Sequence, residues 1–347
     1  MAQADWKDEG PGIQVATAAS AGEFLEWLRR SNSQWWEGDH NPWVFRGHAD
    51  ENWPLLPSAW RSNNAIISAS REEATKRFDR VKPTQSLFWW LPPNFHTGAA
   101  TFGNDDKKLQ RELAISVTAE LLPVWDFCIR CNELGLPTAM SHVPPDAASN
   151  PDWLWDAGAP LVADHLLRFS DIPPVLALAQ HHGLPTRLLD WSFNPVAAAF
   201  FAVENTDIET YDNIAVWGLH RLNATGVATA GVEFPNGNQP LRIEPRVEII
   251  RPSVRDNPYL AAQSGLFTTV SASGVYFMQN GGERPSLETF VRKSQTTKVV
   301  LRKMRLSCEH VPDLVQTLQR EQMSRSGLMP TRDNVAGDVR KRWLDRD

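Results

Sequence analysis

Residues Ala179–Ala202 read AQHHGLPTRLLDWSFNPVAAAFFA, and the fold depends on how this stretch divides. From His181 to Ser192 it gathers two His, a Thr, an Arg, an Asp and a Ser, and a run of almost pure Ala and Phe follows. A packed core has no use for that polar cluster. Either it is a buried structural network, or the apolar run is an anchor and the cluster is a site. The residues PPVLALAQHHG predict a short helix entered through Pro173 and Pro174 and ended at Gly183, where a left-handed residue is expected. His181 and His182 then fall in the last turn, where the unsatisfied carbonyls favour a protonated imidazole. Both can equally be plain terminal residues of the helix. TRLLDWS predicts a strand over Arg187–Trp191, with Thr186, Leu188, Asp190 and Ser192 on one face and Arg187, Leu189 and Trp191 on the other. An unpaired buried polar group costs about 1–3 kcal/mol, so the polar face must find partners. Two readings stay open: Asp190 is a structural hub receiving backbone N–H groups or Arg46, or the face lines a cleft. NPVAAAFFAVE predicts a helix, with Asn194 as its cap and Pro195 at its first position. Ala197, Ala198 and Ala199 let that helix lie close against a sheet.

Outward from this stretch, WVFRGHAD predicts a short strand at Trp43–Phe45 that sets Val44 and Arg46 on one face. Gly47 is expected to permit a sharp turn, with His48 joining the site or capping that turn. Ser20 caps a predicted helix over Ala21–Asn32. Glu51–Arg61 reads as a Pro-broken loop tied down by Trp53, Leu55 and Trp60. From about residue 62 to 170 the pattern is mainly helical, an insertion whose longest helix spans Lys108–Gly135 with Pro123 expected to kink or divide it. Further strands are predicted at Asn213–Leu219, Val247–Ile250, Gly274–Phe277 and Lys298–Leu306, and a loop at Ala224–Gln239. Helices at Val311–Met323 and Asn334–Trp343 follow. The expected fold is α+β: a mixed or antiparallel central sheet with flanking helices and a helical insertion. A flexible N-terminus at 1–11 precedes one domain over 12–347.

Composition narrows the function. A chain of 347 residues, 42% hydrophobic and 22% charged, can bury a large core. Its formal net charge of −6 argues against wholesale capture of nucleic acid while leaving room for a local basic groove. The polar start MAQADWKDEGPG has no apolar h-region, and no apolar run is long enough to cross a bilayer. Three Cys are too few for a disulfide scaffold. The expectation is a cytoplasmic protein with reduced thiols and no membrane contact. Fifteen Trp suit cores, stacking pockets and interfaces.

Several chemistries compete. A hydrolase would use His181 as base and Asp190 as its partner, but no Gly-x-Ser-x-Gly elbow accompanies them. A magnesium nuclease needs clustered acids, and Asp190 alone does not make such a site. Cys128 and Cys131 share one helix face, and zinc would need two further ligands, so no metal is expected. No Walker or Rossmann phosphate loop is present.

WVFRGHADENWPLLPSAWR resembles the signature of the FRG domain family. AQHHGLPTRLLDWSFNPVAAAFFA is similar to that family's central motif, with His182 in place of its usual aromatic. NPYLAAQSGLFTTV and SGLMPTRDNVAGDVRKRW resemble its third and closing segments. The motif order is in turn similar to that of ADP-ribosyltransferases. That resemblance implies a cleft binding a nucleotide, most of all NAD as substrate, with ADP-ribosyl transfer or NAD cleavage as the activity. Arg46 would grip phosphate or ribose, with Gly47 and His48 beside it. His181 and Asp190 would organise the pocket, while Thr186, Arg187 and Ser192 would bind the ligand. Trp191, Phe267 or Tyr276 would stack the base, and Gln263 would contact ribose or acceptor. No Glu-x-Glu or Gln-x-Glu lies near Gln263, so Glu244, Glu248 and Glu288 are candidate acids without a motif. The acceptor would be protein, nucleic acid or water, in the setting of a bacterial toxin or phage-defence effector. The alternative is a non-catalytic nucleotide, nucleic-acid or protein-interaction module.

Overall fold

The computed structural model describes residues 2–80, 106–138, 172–204, 206–234, 241–251 and 265–344. Ten strands and eleven helices fall within them. The strands are β1 (Lys7–Asp8), β2 (Ile13–Ala18), β3 (Trp43–His48), β4 (Leu189–Ser192), β5 (Asn213–His220), β6 (Val232–Phe234), β7 (Leu241–Ile243), β8 (Arg246–Ile250), β9 (Gly265–Ser271) and β10 (Leu301–Ser307). The helices are α1 (Ala21–Leu28), α2 (Ala65–Arg80), α3 (Asp106–Glu133), α4 (Ile172–His181), α5 (Pro195–Glu204), α6 (Arg221–Ala224), α7 (Ser273–Gln279), α8 (Leu287–Lys293), α9 (Val311–Arg320), α10 (Arg325–Leu328) and α11 (Arg332–Leu344).

Eight strands form one open mixed sheet in the order β1-β2-β10-β5-β3-β4-β9-β8, and β6 and β7 form a separate hairpin. Only β2 and β10 run parallel; the other pairs are antiparallel. Strand β5 is the centre, and every residue of NIAVWGLH after Asn213 is buried. A strand covered on both faces reads as such a continuous apolar run. One face of the sheet packs Trp35, Trp43, Phe45, Ile214, Val216 and Met304 beneath α1, α5 and α9. The other buries Val44, Trp191, Trp217, Leu219, Tyr276 and Phe290. A third cluster joins α3 and α4 to β9 through Leu113, Val117, Leu176 and Phe267.

The helix caps follow the sequence. Ser20 Oγ accepts from Glu23 N at 3.2 Å, and Asn194 Oδ1 accepts from Val196 N at 3.0 Å. Gly183 closes α4 at φ +85°, with Gly183 N donating to Gln180 O and Leu184 N to Ala179 O. These two bonds satisfy carbonyls that a helix end leaves open.

Five expectations change. Gly47 makes no turn but lies inside β3, which continues to His48. A Cβ there would sit 2.0 Å from Ala198 O and 2.6 Å from Ala202 N, so the missing side chain is what lets α5 rest on the sheet. Gly274–Phe277 is helical, not extended. Ser273–Met278 is buried throughout, so no polar face marks its helical period. Of the kink or division expected at Pro123, division does not occur, and the helix runs unbroken over Asp106–Glu133. Proline lacks the N–H that would bond Ala119 O, and the Ser70 hydroxyl of α2 donates to that carbonyl instead, at 2.7 Å. The N-terminus does not trail free. Asn32 Nδ2 donates to Ala2 O at 2.9 Å, and β1 pairs with β2. Within the expected Ala224–Gln239 loop, Val232–Phe234 forms β6.

No helix among the described residues is long and apolar enough to cross a membrane.

Candidate functional site

The sheet is continuous in order but not in pairing. Strand β3 pairs with β5 over its whole length, and β4 pairs with β9 over its whole length. Between them, β3 and β4 meet at a single residue pair, Phe45↔Ser192. Beside this seam lies a cleft of about 330 Å3, lined by residues of β3, β4, α4, α5 and α10.

Arg46 spans the seam. Its Nη1 donates to Asp190 Oδ1 at 2.5 Å and to Asp190 O at 3.0 Å, and its Nε donates to His48 Nε2 at 3.2 Å. His48 Nδ1 faces Trp53 O at 3.1 Å. A carbonyl only accepts, so Nδ1 carries the proton and Nε2 is the acceptor that Arg46 needs. His48 is thereby fixed as a neutral imidazole. Burial, with Arg46 and Arg61 nearby, lowers its pKa to about 3.

Asp190 is held from a second side. Thr186 Oγ1 donates to Gln180 Oε1 at 2.5 Å, which orients the amide so that Gln180 Nε2 donates to Asp190 Oδ1 at 3.2 Å. The Asp190 side chain is 58% exposed to the cleft, whereas that of Arg46 is only 16% exposed. Enclosure by the cleft walls opposes ionisation of Asp190, but the charge and hydrogen bond of Arg46 outweigh it and hold the carboxyl below its ordinary pKa. Among the described residues, Arg46 Nη2 and Asp190 Oδ2 make no hydrogen bond. The cleft therefore offers a cationic donor and an anionic acceptor side by side.

The expected site residues separate into groups. Arg46, Gly47, Asp190 and His181 all line the cleft. His181 is not held protonated: burial, then the neighbouring His182, lowers its pKa against the pull of the helix end. Ser192 lines the cleft too, but its Oγ accepts from Asn194 N at 3.0 Å and so shapes the entry to α5. Thr186 and His48 are buried behind the lining and position Gln180 and Arg46. Arg187 lies elsewhere. Its Nη2 pairs with Glu120 at 2.8 Å in a buried cluster that Arg284 completes from the other carboxylate oxygen at 3.2 Å. Trp191 and Phe267 also line the cleft, as largely buried rings 2% and 4% exposed, whereas Tyr276, 2% exposed, does not line it. Trp191 Nε1 is bonded instead to Thr268 Oγ1 at 2.9 Å. Glu288 accepts from Leu55 N, Glu244 pairs with Arg246, and Glu248 accepts from Ser271. None of the three glutamates lines the cleft. Gln263 lies outside the described residues, two positions before Gly265, which pairs with Ser192.

Sequence reading passed over four contributors. Gln180 lies inside the quoted stretch, yet its role depends on a Thr186 contact that only the fold creates. Trp53, 39% exposed, supplies the open aromatic surface of the cleft that the buried rings do not. Leu328 and Met329 come from the far end of the chain to form one wall. All four lie in the motif segments quoted above, but nothing in their local pattern says that they meet at one cleft.

Among the described residues, no group of three or more His, Cys, Asp or Glu is placed to hold a metal ion. Cys128 and Cys131 are buried, and burial followed by the Cys131 neighbour pushes the Cys128 thiol up to about 12. No curated protein and no solved structure matches the chain significantly. The model of the FRG domain family matches residues 145–210. That span contains α4, β4 and α5, the unit that brings Gln180, His181 and Asp190 to Arg46, and over it the chain is similar to the FRG domain.

Proposed function

We propose that the cleft binds a nucleotide, with NAD as the ligand its groups suit best, and that the protein transfers ADP-ribose or cleaves NAD. The observation that supports this most is the pair of uncommitted groups at the seam. Arg46 Nη2 can donate to a phosphate or ribose oxygen, and Asp190 Oδ2 can accept from a ribose hydroxyl. A ribose phosphate carries both partners. At about 330 Å3 the cleft lies at the small end of ligand sites. It would enclose one half of a dinucleotide and leave the other at the open mouth, near Trp53. Breaking the nicotinamide–ribose bond develops positive charge on the ribose. Asp190, kept ionised by Arg46, would stabilise that charge, and the acceptor would be protein, nucleic acid or water.

A second reading is a module that binds a nucleotide and leaves it intact. It is favoured by the cleft lining, in which Asp190 is the only carboxylate among the described residues.

The deciding experiment incubates wild type and Arg46→Ala with NAD, follows nicotinamide release, and monitors both by thermal unfolding. Release by wild type alone, with both proteins folded, supports the enzyme. A raised midpoint with NAD but no release supports the module. Neither release nor a shifted midpoint overturns the NAD reading.

A further inference from the structure

A second cavity, of about 590 Å3, lies among α2, α3 and the residues after α7. Four cations line it, Arg61, Arg71, Lys108 and Arg284, against one carboxylate, Glu112. The cations are not equally engaged. Arg71 is paired with Glu112, and Arg284 with Glu120. Arg61 donates only its Nε, to Leu56 O at 3.1 Å, and has no carboxylate partner among the described residues. Lys108 is exposed and has no ion pair there either.

We propose that this cavity is a binding site for the phosphate group of a phosphorylated small molecule, held by Arg61 and Lys108. A half-buried guanidinium without a counter-charge is costly, and an anion from solution removes that cost. Two uncommitted cations on one cavity call for a dianion, since a carboxylate would neutralise only one of them. Phosphate also fits the planar donor set that Arg61 has left over. The remainder of the ligand meets Trp60 and Phe277, whose rings Arg284 already covers at 5.2 and 5.1 Å. The chain as a whole carries −6, so attraction to this site is local and does not come from the overall charge. Arg61 also feels the cleft. Burial lowers its pKa first, then repulsion from Arg46, with Asp190 opposing. The site does not rest on the NAD reading.

The test is calorimetric titration of inorganic pyrophosphate into the full chain, at low and at raised salt. Saturable binding is expected, weakened at least about tenfold by Arg61→Gln and by a smaller factor in Lys108→Gln. Arg320→Gln should leave it within about twofold, because that exposed guanidinium lines neither cavity. Should Arg61→Gln fail to fold, Lys108→Gln decides, since that side chain is exposed and its loss does not threaten the fold. Absence of saturable binding overturns the proposal. So does binding that both cavity variants leave unchanged. Binding lost only in Arg46→Gln assigns the anion to the cleft and overturns it too. Failure of NAD turnover with pyrophosphate binding intact would separate this site from the cleft.

Discussion

Arg46 does three things with one guanidinium: it joins two strands, ionises Asp190 and fixes the tautomer of His48. The last has a consequence for stability. His48 takes up a proton near pH 6.5 in the unfolded chain and near 3 in the folded one. Between those values the unfolded state binds more protons, so stability is full above pH 6.5 and is lost as the pH falls toward 3. The contribution of His48 approaches about 1.4 kcal/mol per pH unit in that window. His181 adds to the slope in the same direction. Asp190 adds its share below the ordinary carboxylate range. In His48→Gln, urea unfolding at pH 7, 6 and 5 should show a shallower loss of stability than wild type. An unchanged slope would mean that His48 titrates normally in the folded protein. At this scale the sequence was only partly informative. Arg46 and Asp190 stand out by residue type. The division of labour among Thr186, Gln180 and His48 depends on distances no spacing encodes. Arg187 looked like a ligand-binding cation because its partner, Glu120, lies 67 positions away.

At the scale of elements, residue patterns worked where they carried polarity and failed where burial erased it. Helix α5 was legible from its cap, its proline and its alanines. Helix α7 was not, because it has no wet side. Strand β9 was missed although its residues lie in a segment set apart for its motif, since Gly265–Ser271 alternates weakly. Helix α3 shows how a neighbour rescues a breaker. The Ala119 carbonyl orphaned by Pro123 is served by Ser70, so Ser70→Ala should cost about 1–3 kcal/mol in denaturant unfolding. Ser68→Ala is the control, because its hydroxyl bonds Asn64 O at its own helix end. Equal effects of the two would show that the Ala119 carbonyl finds another donor.

At the scale of the molecule, the site is assembled from distant parts of the chain. Arg46 comes from near the start, Asp190 from the middle, and Leu328 and Met329 from near the end. The last two belong to a segment that owes the core little. Neither α10 nor α11 has a buried residue, and Arg325 is tied to Glu204 of α5 by an ion pair at 2.8 Å. A chain ended after Met323 should therefore melt within about 2 °C of the full protein while binding NAD more weakly. A large fall in the melting temperature would show that the segment is part of the core. The mixed sheet with flanking helices was foreseeable from the sequence. The break within it was not, because strand patterns report which faces are buried and not how many rungs two neighbours share.

That break gives the fold a mechanical character. Two half-sheets joined at Phe45↔Ser192 are coupled as the covers of a book are at the spine. Rotating one against the other would strain one rung and the Arg46–Asp190 ion pair, while the core shared by Val44, Trp191 and Trp217 holds the two halves together. A ligand that engages both Arg46 and Asp190 would act as a clasp across that spine.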